Sequence, residues 1–241
     1  MIELKNLSCF YEKELILKNI TQKFSSHISI LGANGSGKST LAKALCNLTP
    51  FTGTIIIDGK EAEAYGAKER AKKIAYIPTK LEFYDEFLTV EEFVLLGRFA
   101  HKESFFDYTK YDREIAEKSI GLLHLEHLKE QILSSLSSGE TALVLIAQAL
   151  AQESKIIIFD EPTANLDPKN TKIIAQHIKQ LKQTHQIILI THDLHLAYFI
   201  DNPVLFLKEK SANYFEERFF TDTNLSHLYD VPIKSLAVEY D

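Results

Sequence analysis

Only two cysteines stand among the 241 residues, Cys9 and Cys46, and no CxxC spacing joins them. A disulfide framework and a zinc site are thereby excluded; free buried thiols and a reducing compartment are expected. Nowhere does an apolar run reach the roughly 18 to 20 residues of a membrane span. The opening MIELKNLSCFYEKE becomes charged before it could serve as a secretory signal. We therefore expect a cytoplasmic chain that meets a membrane only through a partner. A basic stripe is missing too: the net charge is −6, with acids and bases interspersed, so no nucleic-acid partner is expected. Internal repeats and low-complexity segments are likewise absent.

What remains is a composition, 45% hydrophobic and 25% charged, that supports one globular domain over 1–241 with a subdomain inside it. Strand-like alternation at 2–8 and 18–24 is followed by HISILG (27–32), a buried strand feeding a glycine-rich loop, and by a helix from about Lys38. GTIIIDG (53–59) and KKIAYIP (72–78) read as further strands. From about 81 to 152 the periodicity is helical, with Thr89 and Glu92 spaced as a capping box. After that, KIIIFD (155–160), QIILIT (186–191) and PVLFLK (203–208) alternate with helices at 168–184 and 193–201, the βαβ rhythm of a parallel sheet. The tail reads as an edge strand at NYFEERFF, a capped short helix and a last strand. Residues 1–80 and 153–241 would form an α/β core, with 81–152 a helical subdomain.

LGANGSGKST (31–40) contains G-x-x-x-x-G-K-[ST] as Gly32, Gly37, Lys38 and Ser39. Glycines allow successive N–H groups to turn inward around phosphate, Lys38 reaches the β/γ-phosphates, and the Ser39 hydroxyl can ligate Mg²⁺. The motif stands between a strand and a helix, as it must; an ordinary strand-to-helix turn is the alternative. KIIIFDEP puts Asp160 and Glu161 at a strand end, where ligands of α/β sheets collect. Asp160 could hold Mg²⁺ and Glu161 could orient or deprotonate a water, although solvated carboxylates are common at such ends. His192, after QIILIT, would sit at the same sheet edge. SLSSGETALVLIAQ (135–148) sets serines and a glycine ahead of an apolar helix, leaving donors bare for an anion; Ser137 or Ser138 could instead cap the helix.

In this order the motifs resemble those of the ATP-binding cassette (ABC) ATPases, over essentially the whole chain. The resemblance implies a P-loop α/β fold, with a mixed central sheet, an antiparallel β subdomain and a helical signature subdomain. It implies that Tyr11 stacks on adenine, that the Walker A residues Gly32, Ala33, Asn34, Gly35, Ser36, Gly37, Lys38, Ser39 and Thr40 bind ATP, and that Ser39 and Asp160 hold Mg²⁺. Glu161 and His192 would be catalytic. LSSGE, with Ser137, Ser138, Gly139 and Glu140, is similar to the family signature LSGGQ, and would close on ATP held by a second cassette. Asp167 falls in the ANLD segment that resembles the D-loop.

Two segments depart from the family. Ser138 and Glu140 replace a glycine and a glutamine, while Ser137 is kept. Thr79 stands where the family has a glutamine that reaches Mg²⁺ and the attacking water, so slow basal hydrolysis is expected. LTVEEFVLLGRFAH (88–101), YDREIAEKSIGLL (111–123) and NLSHLYDVPIKSL (224–236) are similar to importer ATPases for iron-siderophore, haem or cobalamin, and the chain is too short for the extra domain of sugar importers. The resemblance thus implies an ATP-hydrolysing importer subunit, paired as a homodimer with a second ATPase subunit. It would sit on the inner membrane face through permease subunits and meet a substrate-binding protein only indirectly. Rival readings are a soluble cassette with another task and a slow or non-hydrolysing ATP-dependent clamp. A P-loop phosphotransferase is disfavoured, because the signature would have no role in it.

Overall fold

Alternating apolar residues set the first layer. In Ile2–Tyr11 (β1) and Glu14–Phe24 (β2), Ile2, Leu4 and Leu17 are wholly buried while polar neighbours face outward. The structure, a computed structural model, describes residues 1–80, 87–102 and 107–230. All four residues of Ile28–Leu31 (β3) are buried; the glycine loop follows, and Lys38–Leu45 (α1) leaves it. Phe51–Ile57 (β4) and Lys60–Glu61 (β5) complete an antiparallel sheet in the order β2-β1-β4-β5. A five-residue helix, Ala67–Ala71 (α2), precedes Ile74–Ile77 (β6).

Next come Val90–Leu96 (α3), continued by a 3-10 turn at Gly97–His101, then Lys110–Leu122 (α4) and Ser138–Ala151 (α5). Thr89 and Glu92 form the expected reciprocal cap, and Thr109 and Asp112 repeat it on α4. The buried Arg98 fastens these helices: Nε donates to Asp112 at 3.0 Å, and Nη1 to the Ala151 carbonyl at 2.8 Å and to Glu153 at 2.7 Å.

The second sheet is built from β3, β6, Ile156–Asp160 (β7), Gln186–Ile190 (β8), Val204–Lys208 (β9) and Ser211–Phe215 (β10), in the order β10-β9-β3-β8-β7-β6. Its strands run parallel except β10, antiparallel to β9, so the sheet is mixed as expected. Pro168–Leu181 (α6) and Leu194–Ile200 (α7) connect its strands, and Asp222–Tyr229 (α8) follows. Ile156, Ile158, Ile188 and Ile190 face α1 and the antiparallel sheet, while Ile157, Phe159, Ile187 and Leu189 face α3 to α6. Each such side chain contributes about 1.5–3 kcal/mol on burial. The C-terminal ends of β3, β7 and β8 thereby share one edge.

Differences from expectation are local. β2 starts at Glu14 because the turn before it is tight, with β1 ending at Tyr11. α2 has no apolar period to announce it, and no residue of it is buried. The edge strand ends at Phe215. The last strand expected within 224–236 lies, beyond Asp230, outside the described residues, as do 81–86 and 103–106 of the expected helical segment.

Candidate functional site

The turn from β3 into α1 is made by glycine for two reasons. Gly37 caps α1 at φ 97°, and a Cβ there would stand 2.7 Å from Ile16 and 3.1 Å from Leu17. Lys38 is consequently buried, its Nζ donating to the carbonyls of Gly32 at 3.0 Å and Ala33 at 3.1 Å. Burial pushes the Lys38 amine down, against the pull of the Glu161 and Asp160 carboxylates. A cleft of about 310 Å³ opens over the loop, lined by Tyr11, Asn34, Gly35, Gly37, Lys38, Ser39, Thr40 and Glu161. Tyr11 is 60% exposed at its rim, a ring face open for stacking. Gly32 and Ala33 take part through their carbonyls. The Ser36 N–H donates to Ala33 at 3.1 Å, and its buried Oγ has no partner.

β7 delivers the carboxylates. Asp160 is 1% exposed, and accepts from Ser39 Oγ at 3.0 Å on Oδ1 and from Tyr76 Oη at 2.8 Å on Oδ2. Burial raises the Asp160 carboxyl, while the hydroxyls of Tyr76 and Ser39 oppose that rise. Glu161 then takes a left-handed φ of 52°, a strain of about 1–3 kcal/mol for a non-glycine residue. Its Oε1 lies 3.8 Å from Lys38 Nζ and its Oε2 lies 2.9 Å from His192 Nδ1, with the His192 N–H donating to it at 3.2 Å. The loop, Asp160, Glu161 and His192 therefore meet in one place. Ser39 Oγ and Asp160 Oδ1 are hard oxygen donors side by side. That donor set fits Mg²⁺, which is bound by one or two carboxylates together with phosphates and water. Tyr76 was invisible to sequence reasoning; the strand IAYIP gives no local sign that its hydroxyl reaches Asp160.

At the turn 135–140 the expected cap is made by Ser137, whose own donors are not bare. Ser137 caps α5 and accepts from the Glu140 N–H at 3.3 Å. The Glu140 carboxylate in return accepts from the Ser137 N–H at 2.8 Å and from Ser137 Oγ at 2.6 Å. A glutamate three residues after the cap closes this box on itself, so the serine's donors are occupied within the chain. Those bonds draw the Glu140 carboxyl downward. Gly139 lies against the Asn170 side chain, which a Cβ 2.5 Å away would have to displace. Asn170 in turn donates to Asp167, the cap of α6, at 2.9 Å from N and 2.7 Å from Nδ2. Ser138 reaches a different cavity of about 290 Å³, whose walls also include Thr79, Glu161 and Asn165. Ser137, Gly139 and Glu140 line neither this cavity nor the phosphate-loop cleft. Thr79 itself is exposed.

Residues 17–164 match the family model described as ABC transporter. The chain belongs to the ABC transporter family. This cassette is 36% identical over 245 residues to the Helicobacter pylori "Probable iron chelatin transport ATP-binding protein", covering 98% of this chain and 95% of that protein. It is 34% identical over 218 residues to the manganese transport system ATP-binding protein MntB of Halalkalibacterium halodurans, covering 89% and 85%. Among solved structures it is similar to the dimeric post-hydrolysis state of the ATP-binding cassette MJ0796 bound to ADP and Pi. That similarity has a TM-score of 0.79 and 28% identity, covering 91% of this chain and 100% of that one. This cassette is an ATP-binding, ATP-hydrolysing subunit of an ABC transporter. No helix of the described residues is long and apolar enough to cross a membrane.

Proposed function

We propose that this cassette powers import of a metal chelate such as an iron-siderophore, haem or cobalamin, as one of two identical ATPase subunits beneath a membrane permease. The iron-chelate relative, similar over nearly the whole of both chains, supports the cargo class; the manganese relative keeps a free metal ion as its rival. Tyr11 would stack on the base, residues 32–40 would wrap the phosphates, and Ser39 and Asp160 would hold Mg²⁺, which neutralises phosphate charge when bound. Glu161 would take a proton from the attacking water, held for that task by His192. Ser137, Ser138, Gly139 and Glu140 would close on ATP of the second copy, with Asp167 at the seam.

The observation that carries this reading is Glu161, set between Lys38 at 3.8 Å and His192 at 2.9 Å beside the metal-type pair Ser39 and Asp160. Charge and a proton acceptor are thereby in place where a γ-phosphate would react. A contact for the permease is open as well: a groove of about 180 Å³ is lined by Ala67, Ala71, Leu96, Gly97, Phe99 and Ala100. Leu96 and Phe99 beside it are 44% and 62% exposed. Two copies closing on ATP would pull on two such grooves, the work coming from differing ATP affinity of open and closed pairs. The cassette would sit on the inner membrane face through the permease. Proteoliposomes carrying the assembled complex test it. ATP-driven uptake of a ferric chelate is expected, and uptake of free manganese alone would overturn the chelate assignment.

A further inference from the structure

β6 ends at Ile77, just before the exposed Thr79, yet sends another side chain to the metal-type pair. It runs parallel to β7 with Tyr76 opposite Ile158 and Ile77 opposite Phe159. Side chains alternate along a strand, so Ile74 and Tyr76 share the α1 face with Ile156, Ile158 and Asp160, whereas Ala75 and Ile77 turn to the helices. Tyr76 is thus one step along the sheet from Asp160, and its hydroxyl donates to Oδ2 at 2.8 Å. The other oxygen, Oδ1, accepts from Ser39 at 3.0 Å. Held by donors from two elements, the buried carboxylate has a single orientation. Its two oxygens also differ in freedom: Oδ1 faces the phosphate loop through Ser39, and Oδ2 is tied back to the sheet.

We propose that Tyr76 is a positioning residue for the divalent cation. It fixes Asp160 so that Oδ1 stays available at the loop, and it ties the Thr79 segment to the metal site through β6. The proposal rests on the reading that Ser39 and Asp160 hold Mg²⁺. Outer hydrogen-bond partners of metal ligands typically change metal affinity by about 10 to 100-fold. A tyrosine that merely satisfies its own buried hydroxyl would change stability and leave metal affinity alone.

The test uses the full chain with hydrolysis blocked by Glu161→Gln, and reads protein-bound Mn²⁺ by electron paramagnetic resonance at saturating ATP. Tyr76→Phe keeps the ring and removes the hydroxyl; Tyr76→Leu is a second variant, and either one that melts cooperatively suffices. Expected is an Mn²⁺ half-saturation weakened about 10-fold, with ATP affinity in EDTA unchanged. Equal Mn²⁺ binding with and without the hydroxyl would overturn the inference while leaving the metal site standing. An equal loss of metal-free ATP affinity would also overturn it, because the damage would then lie in the loop. If the chain with Tyr76 intact held no Mn²⁺ beside ATP, the metal reading itself would fail and this inference with it.

Discussion

The phosphate-loop rim and the signature rim are built on opposite plans. At the first, groups from distant parts of the chain satisfy one another, Ser39 and Tyr76 on Asp160 and His192 on Glu161, while Lys38 holds the loop's own Gly32 and Ala33 carbonyls. At the second, satisfaction is local, since Ser137 and Glu140 close on each other within three residues, and Asp167 and Asn170 do the same. A rim knitted from β3, α1, β6, β7 and β8 is preorganised for a ligand by the sheet itself. A rim whose Ser137 donors are held by the half-buried Glu140 would, on the proposed function, exchange that side chain for an outside anion. On the proposed function, one chain therefore carries a fixed half-site and an exchangeable one.

The comparison breaks most sharply at the fixed half. Glu161→Gln is expected to lower phosphate release by about 10² to 10⁴-fold, the usual size of general-base catalysis, while ATP affinity holds; an unchanged rate would remove the glutamate from the chemistry. Ser137→Asp probes the exchangeable half. Aspartate still caps a helix but repels the Glu140 carboxylate, so a modest loss of stability is expected, and the added charge should weaken ATP-driven pairing by about 10 to 100-fold, the loss of a charge-assisted bond. Sedimentation at graded ATP reads that change, and binding of ATP to the single chain should not move. Glu140→Gln is the gentlest variant: glutamine keeps the box and removes the charge that lies on the serine's donors. Pairing should then tighten several-fold, and unchanged or weaker pairing would show that the carboxylate does not compete.

Which parts were legible in the sequence follows from the same contrast. The loop at 31–40 could be read because its glycines, lysine and serine act through backbone turns and a helix start, all within ten residues. The strands that lead to Asp160 and His192 were legible as apolar runs stopped by polar residues, and the sheet that joins them followed from the βαβ rhythm. Tyr76 was not, since its partner stands 84 residues away and only the register of β6 against β7 brings them together. The signature turn was legible as a cap, but the reach of Glu140 back to the N–H and hydroxyl of Ser137 was not, because in sequence that residue shows only as a departure from the family's glutamine. Asn170 was missed too, because what lies against Gly139 is a side chain from α6 and not part of the turn itself.

The central claim is that one chain's fixed half and another's exchangeable half share each triphosphate. Light scattering of the Glu161→Gln chain in excess Mg-ATP tests it most directly. A doubling of mass that appears with ATP, reverses on its removal and needs about 10 to 100-fold more protein with Ser137→Asp is the predicted result. A species that stays single at every ATP concentration, alone and with the permease, would contradict it.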